Sequence, residues 1–327
     1  MPDRRSFHTR RCGVFAEPKN KREALIKAEN DGEYARFHES PAQDDALIAE
    51  ARPDPACPKC GRSGEAIRWG KAKSGLPRYL CKRCGRTFTP ASGGLIDRRK
   101  LPLRTMVKFM VNILTGTSVS EASKAAKISM TTALYWMGKI FAALASWQDS
   151  IVLSGGVYVD EKYFTVAHSE IELRPDGKRY RGLSRNQWCV AVALGPEKKA
   201  IAMVEGKGKS SSAKVLGAFR SHIKPGSTLI HDLDFSHYEL IARLKLADKG
   251  EKAIYKFNCQ SGLEPINRYC SNMEDFVRLH RGMNKHRLQD WMNLFAFKFG
   301  CPGNALQKAE KLLELLLKSK EIVRYRD

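Results

Sequence analysis

The run Val157-Tyr158-Val159-Asp160-Glu161-Lys162-Tyr163-Phe164-Thr165-Val166 reads as a β-strand, dense in β-branched and aromatic residues, with an aspartate closing its apolar opening. Outward from it the pattern is that of an α/β unit. Residues 188–194 and 200–205 supply a second and a third strand, with glycine-rich or basic turns between them. A helix over 211–223 leads to a short buried strand, Thr228-Leu229-Ile230-His231, which Asp232 closes. A helix over 236–246, a fifth strand over 253–257 and helices over 266–280 and 285–299 complete the unit.

The order β-β-β-α-β-α-β-α predicts an α/β architecture with a mixed five-stranded sheet and helices on its faces, which is the order of a ribonuclease H-like fold. In that order the first and fourth strands lie side by side, so Asp160 and Asp232 meet at one edge of the sheet. Such a pair holds a hard cation, magnesium or manganese, with positions left open for water and phosphate oxygens. Two ions would serve the attacking and the leaving oxygen of a phosphoryl transfer. The helix after the fifth strand can pack over the same edge, and it offers Asn267 and, two turns on, Glu274 as further ligands. Each residue also has a plainer reading: a turn or cap aspartate, a helix cap at Asn267 after Pro265, a surface charge at Glu274.

Upstream, Cys57-Pro58-Lys59-Cys60-Gly61 and Cys81-Lys82-Arg83-Cys84-Gly85 form two knuckles with the spacing of a four-thiolate zinc site. The glycines let the backbone turn so that both thiolates of a knuckle face one ion. A closed tetrahedral site folds a small ribbon and leaves no position for catalysis. Within residues 55–90, Arg62, Arg68, Lys71, Lys73, Arg78, Lys82, Arg83 and Arg86 alternate with Trp69 and Tyr79. That composition suits a surface tracking phosphates, or simply the solvated face of a small domain.

Residues 101–146 are helical in pattern. Ser118 and Glu121 fit a capping box, Ala122, Ala125 and Ala126 give a small-residue face, and a break at 127–129 precedes a helix carrying Met130, Leu134, Trp136, Met137, Ile140 and Phe141. This is the outline of a helix-turn-helix with the second helix directed at the major groove, although packed helix pairs also occur without DNA. The leucine-rich helix over 304–324 reads as cover for a core ahead of a dimerisation helix.

A formal net charge of +22 over 327 residues makes nucleic acid the natural partner. No run approaches the roughly 18 apolar residues of a membrane span, and the N-terminus lacks the apolar core of a signal peptide. Nine cysteines, an odd number, point to a reducing compartment instead of a disulfide framework. Gly206-Lys207-Gly208-Lys209-Ser210 lacks the spacing of a phosphate-binding loop and reads as a turn whose lysines are free to touch DNA.

The block Leu263-Glu264-Pro265-Ile266-Asn267-Arg268-Tyr269-Cys270-Ser271, continuing through Arg278, His280, Gly282 and Leu288-Gln289-Asp290-Trp291-Met292-Asn293-Leu294-Phe295, resembles the C-terminal signature of zinc-ribbon insertion-sequence transposases with an acidic-triad, ribonuclease H-like catalytic domain. Val157 to Glu161, Arg181-Gly182-Leu183-Ser184-Arg185-Asn186-Gln187, and Leu229 to Asp232 with Ser236-His237 resemble it too, in the right order over roughly 55–300. The resemblance implies Asp160 and Asp232 as metal ligands and Asn267 as the third. A lysine commonly follows that asparagine by seven residues in the family, where this chain has Glu274, either a strengthened metal shell or the mark of a decayed copy.

It further implies a division into 1–54 of unknown role, a zinc ribbon at 55–90, a helical DNA-binding region at 91–150, a catalytic domain at 151–300 and a C-terminal helix at 301–327. The expected activity is binding of terminal inverted repeats with metal-dependent cleavage and joining of double-stranded DNA, by a homo-oligomer on the nucleoid in a bacterial cytoplasm. Two other readings stand beside it: a catalytically inactive, transposase-derived regulator, and a structure-specific host nuclease.

Overall fold

The computed structural model describes residues 41–97, 99–252, 262–280 and 282–324. The strand expected at 253–257 lies outside them, with Cys12 and Cys259. Helix α1 (Pro41–Ala51) leads into a three-stranded antiparallel ribbon, β1 (Ala66–Lys71), β2 (Pro77–Cys81) and β3 (Thr87–Phe88). Three helices follow: α2 (Leu103–Thr115), α3 (Val119–Ala125) and α4 (Met130–Asp149). Ser118 and Glu121 form the capping box the sequence predicts, and Ser129 caps α4 by accepting from the Thr132 amide.

The second half builds β4 (Gly156–Thr165), β5 (Gln187–Leu194), β6 (Ala200–Lys207), α5 (Ser212–Phe219), β7 (Thr228–His231), α6 (Tyr238–Leu244), β8 (Ala247–Gly250), α7 (Glu264–Leu279), α8 (Leu288–Gly300) and α9 (Ala305–Lys318). The five strands lie in the order β6-β5-β4-β7-β8. The first three form an antiparallel meander, and β7 and β8 add parallel to β4 and to each other. This is the mixed, helix-flanked sheet of the sequence reading, with the first and fourth strands adjacent.

Among the described residues the fifth strand of the sheet is Ala247–Gly250, ahead of the apolar run at 253–257, and all four of its residues are exposed. An edge strand on a turn directly after a helix needs only its backbone to pair, so hydropathy carries no trace of it.

Alternation along β4 sends its side chains to two faces. Val157 and Val159 pack with Phe219, Leu229 and Leu240 beneath α5 and α6. Tyr158 points to the other face, where Val190 and Val192 join Phe109, Ile140, Phe295 and Leu316 in one continuous core. That core crosses residues 150 and 300, so the helical region, the sheet and α9 fold as one mass. Each large apolar side chain buried there contributes about 1.5–3 kcal/mol. Helix α9 buries Leu306, Leu312, Leu313 and Leu316, the core-covering role.

The far edge of the sheet is closed by amides. Gln148, at the end of α4, bonds both the N–H and the C=O of Ala202, and Gln289 of α8 accepts from the Val204 amide at 2.7 Å. Asn293 accepts from both glutamines at 2.8 and 2.7 Å. These side chains, with Gln148 and Asn293 buried and Gln289 half-buried, satisfy outward backbone groups of β6, which would otherwise be open to pair with another chain.

Candidate active site

Strands β4 and β7 pair in register up to Tyr158 with Ile230, and Asp160 and Asp232 follow two residues beyond that pair, near enough for the Asp232 charge to act on Asp160. Asp160 is half-buried. One of its oxygens accepts the Glu161 amide at 2.8 Å, and the other is 3.7 Å from the Cys270 thiol. Burial, with the charges of Glu161 and Asp232 added, pushes the Asp160 carboxyl up to about 6. Asp232 is exposed and accepts the Asp234 amide at 3.1 Å. Two hard oxygen donors that repel one another, with few donors to quiet them, are a fit for magnesium or manganese.

Helix α7 packs on the same face. Cys270 touches Asp160, and one turn further Glu274 lies 2.6 Å from Lys162, the next residue of β4 on that face. Asn267 is one turn before Cys270, exposed, with its backbone N–H held by Leu263. Among the described residues, no hydrogen bond or ion pair joins the side chain of Asn267 or Glu274 to either aspartate.

Behind the pair lies a buried relay that sequence reasoning missed. The His237 ring sits with Nε2 3.0 Å from Glu161 Oε1 and Nδ1 3.0 Å from His231 Nδ1, and His231 Nε2 is 3.0 Å from Asp248 on β8. The Leu233 amide donates to His231 Nδ1, so His231 carries its proton on Nε2 and gives it to Asp248. His237 Nε2 faces the Glu161 carboxylate, and its Nδ1 meets the His231 Nδ1 that the Leu233 amide also approaches. Burial opposes a charged His237 ring, but the Glu161 carboxylate, with Asp232 and Asp234, outweighs it and raises the His237 pKa. His231, Asp232 and His237 also bring three ligand atoms within 4.8 Å of one another. The only signal in the sequence was the recurrence of His-Asp and Ser-His beside the candidate aspartate.

In the ribbon, Cys57 Sγ lies 3.5 Å from Cys84 Sγ and Cys60 Sγ 3.6 Å from Cys81 Sγ, with all four sulfurs within 4.8 Å of one another and none in a disulfide. Zinc–sulfur bonds of 2.3 Å set tetrahedral edges of about 3.8 Å, so the cysteines fit that ion. Gly61 and Gly85 take φ of +73° and +67°, the left-handed turns the knuckles require. All eight basic residues named above are exposed, and so is Trp69. Tyr79 is not: it stacks on Phe88 in the ribbon's small core.

Helices α3 and α4 meet at 112°, within the range of a helix-turn-helix. The start of α4 faces solvent at Met130, Thr131 and Leu134, and its end at Ser146 and Asp149; Trp136, Met137, Ile140 and Phe141 are core. Lys207 is held by Glu170 at 3.0 Å, so that turn lysine is not free. Between β4 and β5 an exposed arm carries Arg174, Lys178, Arg179, Arg181 and Arg185. Its base is clamped by Asn186, whose side chain bonds the N–H and the C=O of Glu172, both at 2.8 Å.

The chain is thus an α/β protein with a mixed five-stranded sheet and a cluster of acids across its two central parallel strands. Over 129 residues it is 30% identical to an uncharacterized protein in the transposable element ISH50 of Halobacterium salinarum, covering 39% of this chain and 42% of that one. It therefore spans about two-fifths of that relative's length. A crystal structure of a pre-cleavage Mos1 transpososome aligns with 67% of this chain and 79% of its own at 9% identity and a TM-score of 0.26, too loose a likeness to carry an inference. No protein-family model matches. Among the described residues no single helix is long and apolar enough to cross a membrane.

Proposed function

We propose that this protein is the DNA transposase of an insertion sequence, cutting and joining double-stranded DNA with a divalent metal. The observation that carries the reading is the parallel pairing of β4 with β7, which brings Asp160 and Asp232 close enough to interact, in a chain of net charge +22. The relative belonging to a transposable element supports it over the shared 129 residues.

In this reading Asp160 and Asp232 hold magnesium or manganese, with Asn267 as the third ligand and Glu274 beside them through Lys162. The bound metal supplies Lewis-acid stabilisation of charge on the phosphate. The chain's own task is positioning: His237 holds Glu161 in place, and Cys270 packs against Asp160. Zinc on the four cysteines orders the ribbon, and its basic face, the helix pair and the β4–β5 arm bind the element ends, as a homo-oligomer that brings two ends together.

Cleavage and joining of DNA carrying the gene's own flanking sequence, in magnesium or manganese, tests this. Specific 3′-end cutting that Asp160→Ala and Asp232→Ala both abolish, with DNA binding retained, is the expected result. Binding without cutting in either metal would sink the enzymatic reading and leave a regulator.

A further inference from the structure

Helix α4 carries one residue that its packing does not explain. Lys139 lies among Trp136, Met137, Ile140 and Phe141 on the core side of the helix and is only 2% exposed. Its ammonium sits over two rings, 4.6 Å from the centroid of Tyr135 and 4.8 Å from that of Trp136. Among the described residues no carboxylate comes within ion-pair distance of it. The neighbouring acid, Asp97, has one oxygen turned to the Gly93 amide at 3.2 Å. A buried ammonium with no carboxylate at ion-pair distance among the described residues costs free energy, and an anion arriving from outside would offset that cost.

Lys139 faces a cavity of about 900 Å³, lined by Gly94, Asp97 and residues 99–101 after the ribbon, the first half of α4 and the tail at 322–324. The walls combine the rings of Tyr135 and Trp136 with Lys139 and the exposed Lys100. Arg99 lines it as well, but its guanidinium is taken up by Asp44 and Asp45 at 3.2 and 3.1 Å. Two cations beside two aromatic rings match a phosphate joined to a planar base, and the volume is ample for one such unit.

We infer that this cavity is a nucleotide-binding site, with the phosphate on Lys139 and Lys100 and the base against Tyr135 and Trp136. The nucleotide is either free or an unstacked unit of a bound DNA strand. The second source rests on the transposase reading, and the cavity's position between the segment that follows the basic ribbon and helix α4 favours it.

The test uses the full-length, zinc-loaded chain, with dAMP and inorganic phosphate as probes in calorimetry and thermal-shift assays. A DNA duplex scanned with single 2-aminopurines is read by fluorescence. dAMP should bind, more tightly than phosphate, and Lys139→Met should weaken it about tenfold or more, the worth of one charged hydrogen bond. Lys100→Gln gives the same reading at an exposed residue, should Lys139→Met fail to fold. A 2-aminopurine signal that dAMP competes away places the site on the DNA strand; dAMP binding without that signal assigns a free nucleotide. Phosphate binding as tightly as dAMP, dAMP binding untouched by either variant, or neither dAMP binding nor a 2-aminopurine signal would overturn the inference. DNA cleavage at the carboxylate pair is measured separately, so failure here leaves the transposase reading intact.

Discussion

Lys162 Nζ and Glu274 Oε1 lie 2.6 Å apart and tie strand β4 to helix α7 beside Asp160. A glutamate standing where the resembling family commonly has a lysine thus has its own cationic partner. Glu274 is 56% exposed, so the pair itself stabilises by no more than about 0.2–1 kcal/mol. Glu274→Lys would set two ammoniums together, lowering the melting temperature slightly and loosening α7 over the site. The exchange Lys162→Glu with Glu274→Lys should restore both. A single Glu274→Lys variant that cuts DNA faster than wild type would instead mark Glu274 as damage.

His237→Ala should leave the Glu161 carboxylate buried without its charged partner, since Glu161 is 7% exposed and His237 fully buried. Breaking such a pair costs about 3–5 kcal/mol. Adding Glu161→Gln should recover part of that loss in thermal melts. Equal stability of His237→Ala and wild type would remove the relay from the account.

Metal removal should act on the ribbon alone. Its core is little more than Tyr79, Phe88 and the cysteines, too small to stand without a structural ion worth on the order of 10 kcal/mol. A strong chelator, or Cys57→Ser, should expose residues 55–90 to protease while the sheet and helices keep their far-ultraviolet signal. One zinc per chain by elemental analysis is the matching stoichiometry.

Burial holds the Lys139 ammonium down to about 8, with Asp97 pulling the other way. The other charged groups facing it are Arg99, Lys100 and Arg324. Between about pH 8 and its unfolded value near 10.4, the unfolded chain binds more protons than the folded one, so this group makes stability rise with pH across that window. Below it the penalty is complete, at most roughly 3 kcal/mol from 1.36 kcal/mol per unit. Lys139→Met should therefore be more stable than wild type at pH 7, and the gap should narrow as pH approaches 10.

Asn186→Ala should release the arm between β4 and β5, because two 2.8 Å bonds to the Glu172 backbone are lost together. The expected cost is about 1–3 kcal/mol. Faster hydrogen exchange at the Glu172 amide, together with weaker and less salt-sensitive DNA binding, would show that the clamp presents the basic arm.

The local and the periodic were legible in the chain. Two cysteine knuckles with their glycines specify a turn within five residues, so their geometry follows from covalent spacing. The strand runs at Asp160 and Asp232 announce themselves by β-branched residues, and the order of elements alone makes their strands neighbours. The capping box at Ser118 and the leucine face of α9 are equally short-range patterns.

Tertiary structure decided the rest. Edge strand β8 is polar and exposed, so only backbone pairing with β7 reveals it. The bond of Glu161 to His237 spans 76 residues, the Lys162–Glu274 pair joins a strand to a later helix, and Gln148 reaches β6 across 54. No periodicity encodes such meetings, because a polar side chain's partner is set by where the backbone delivers it. Lys139 is the sharpest case: in sequence it is one of many lysines, and only the packing of α4 turned its charge inward over two aromatic rings.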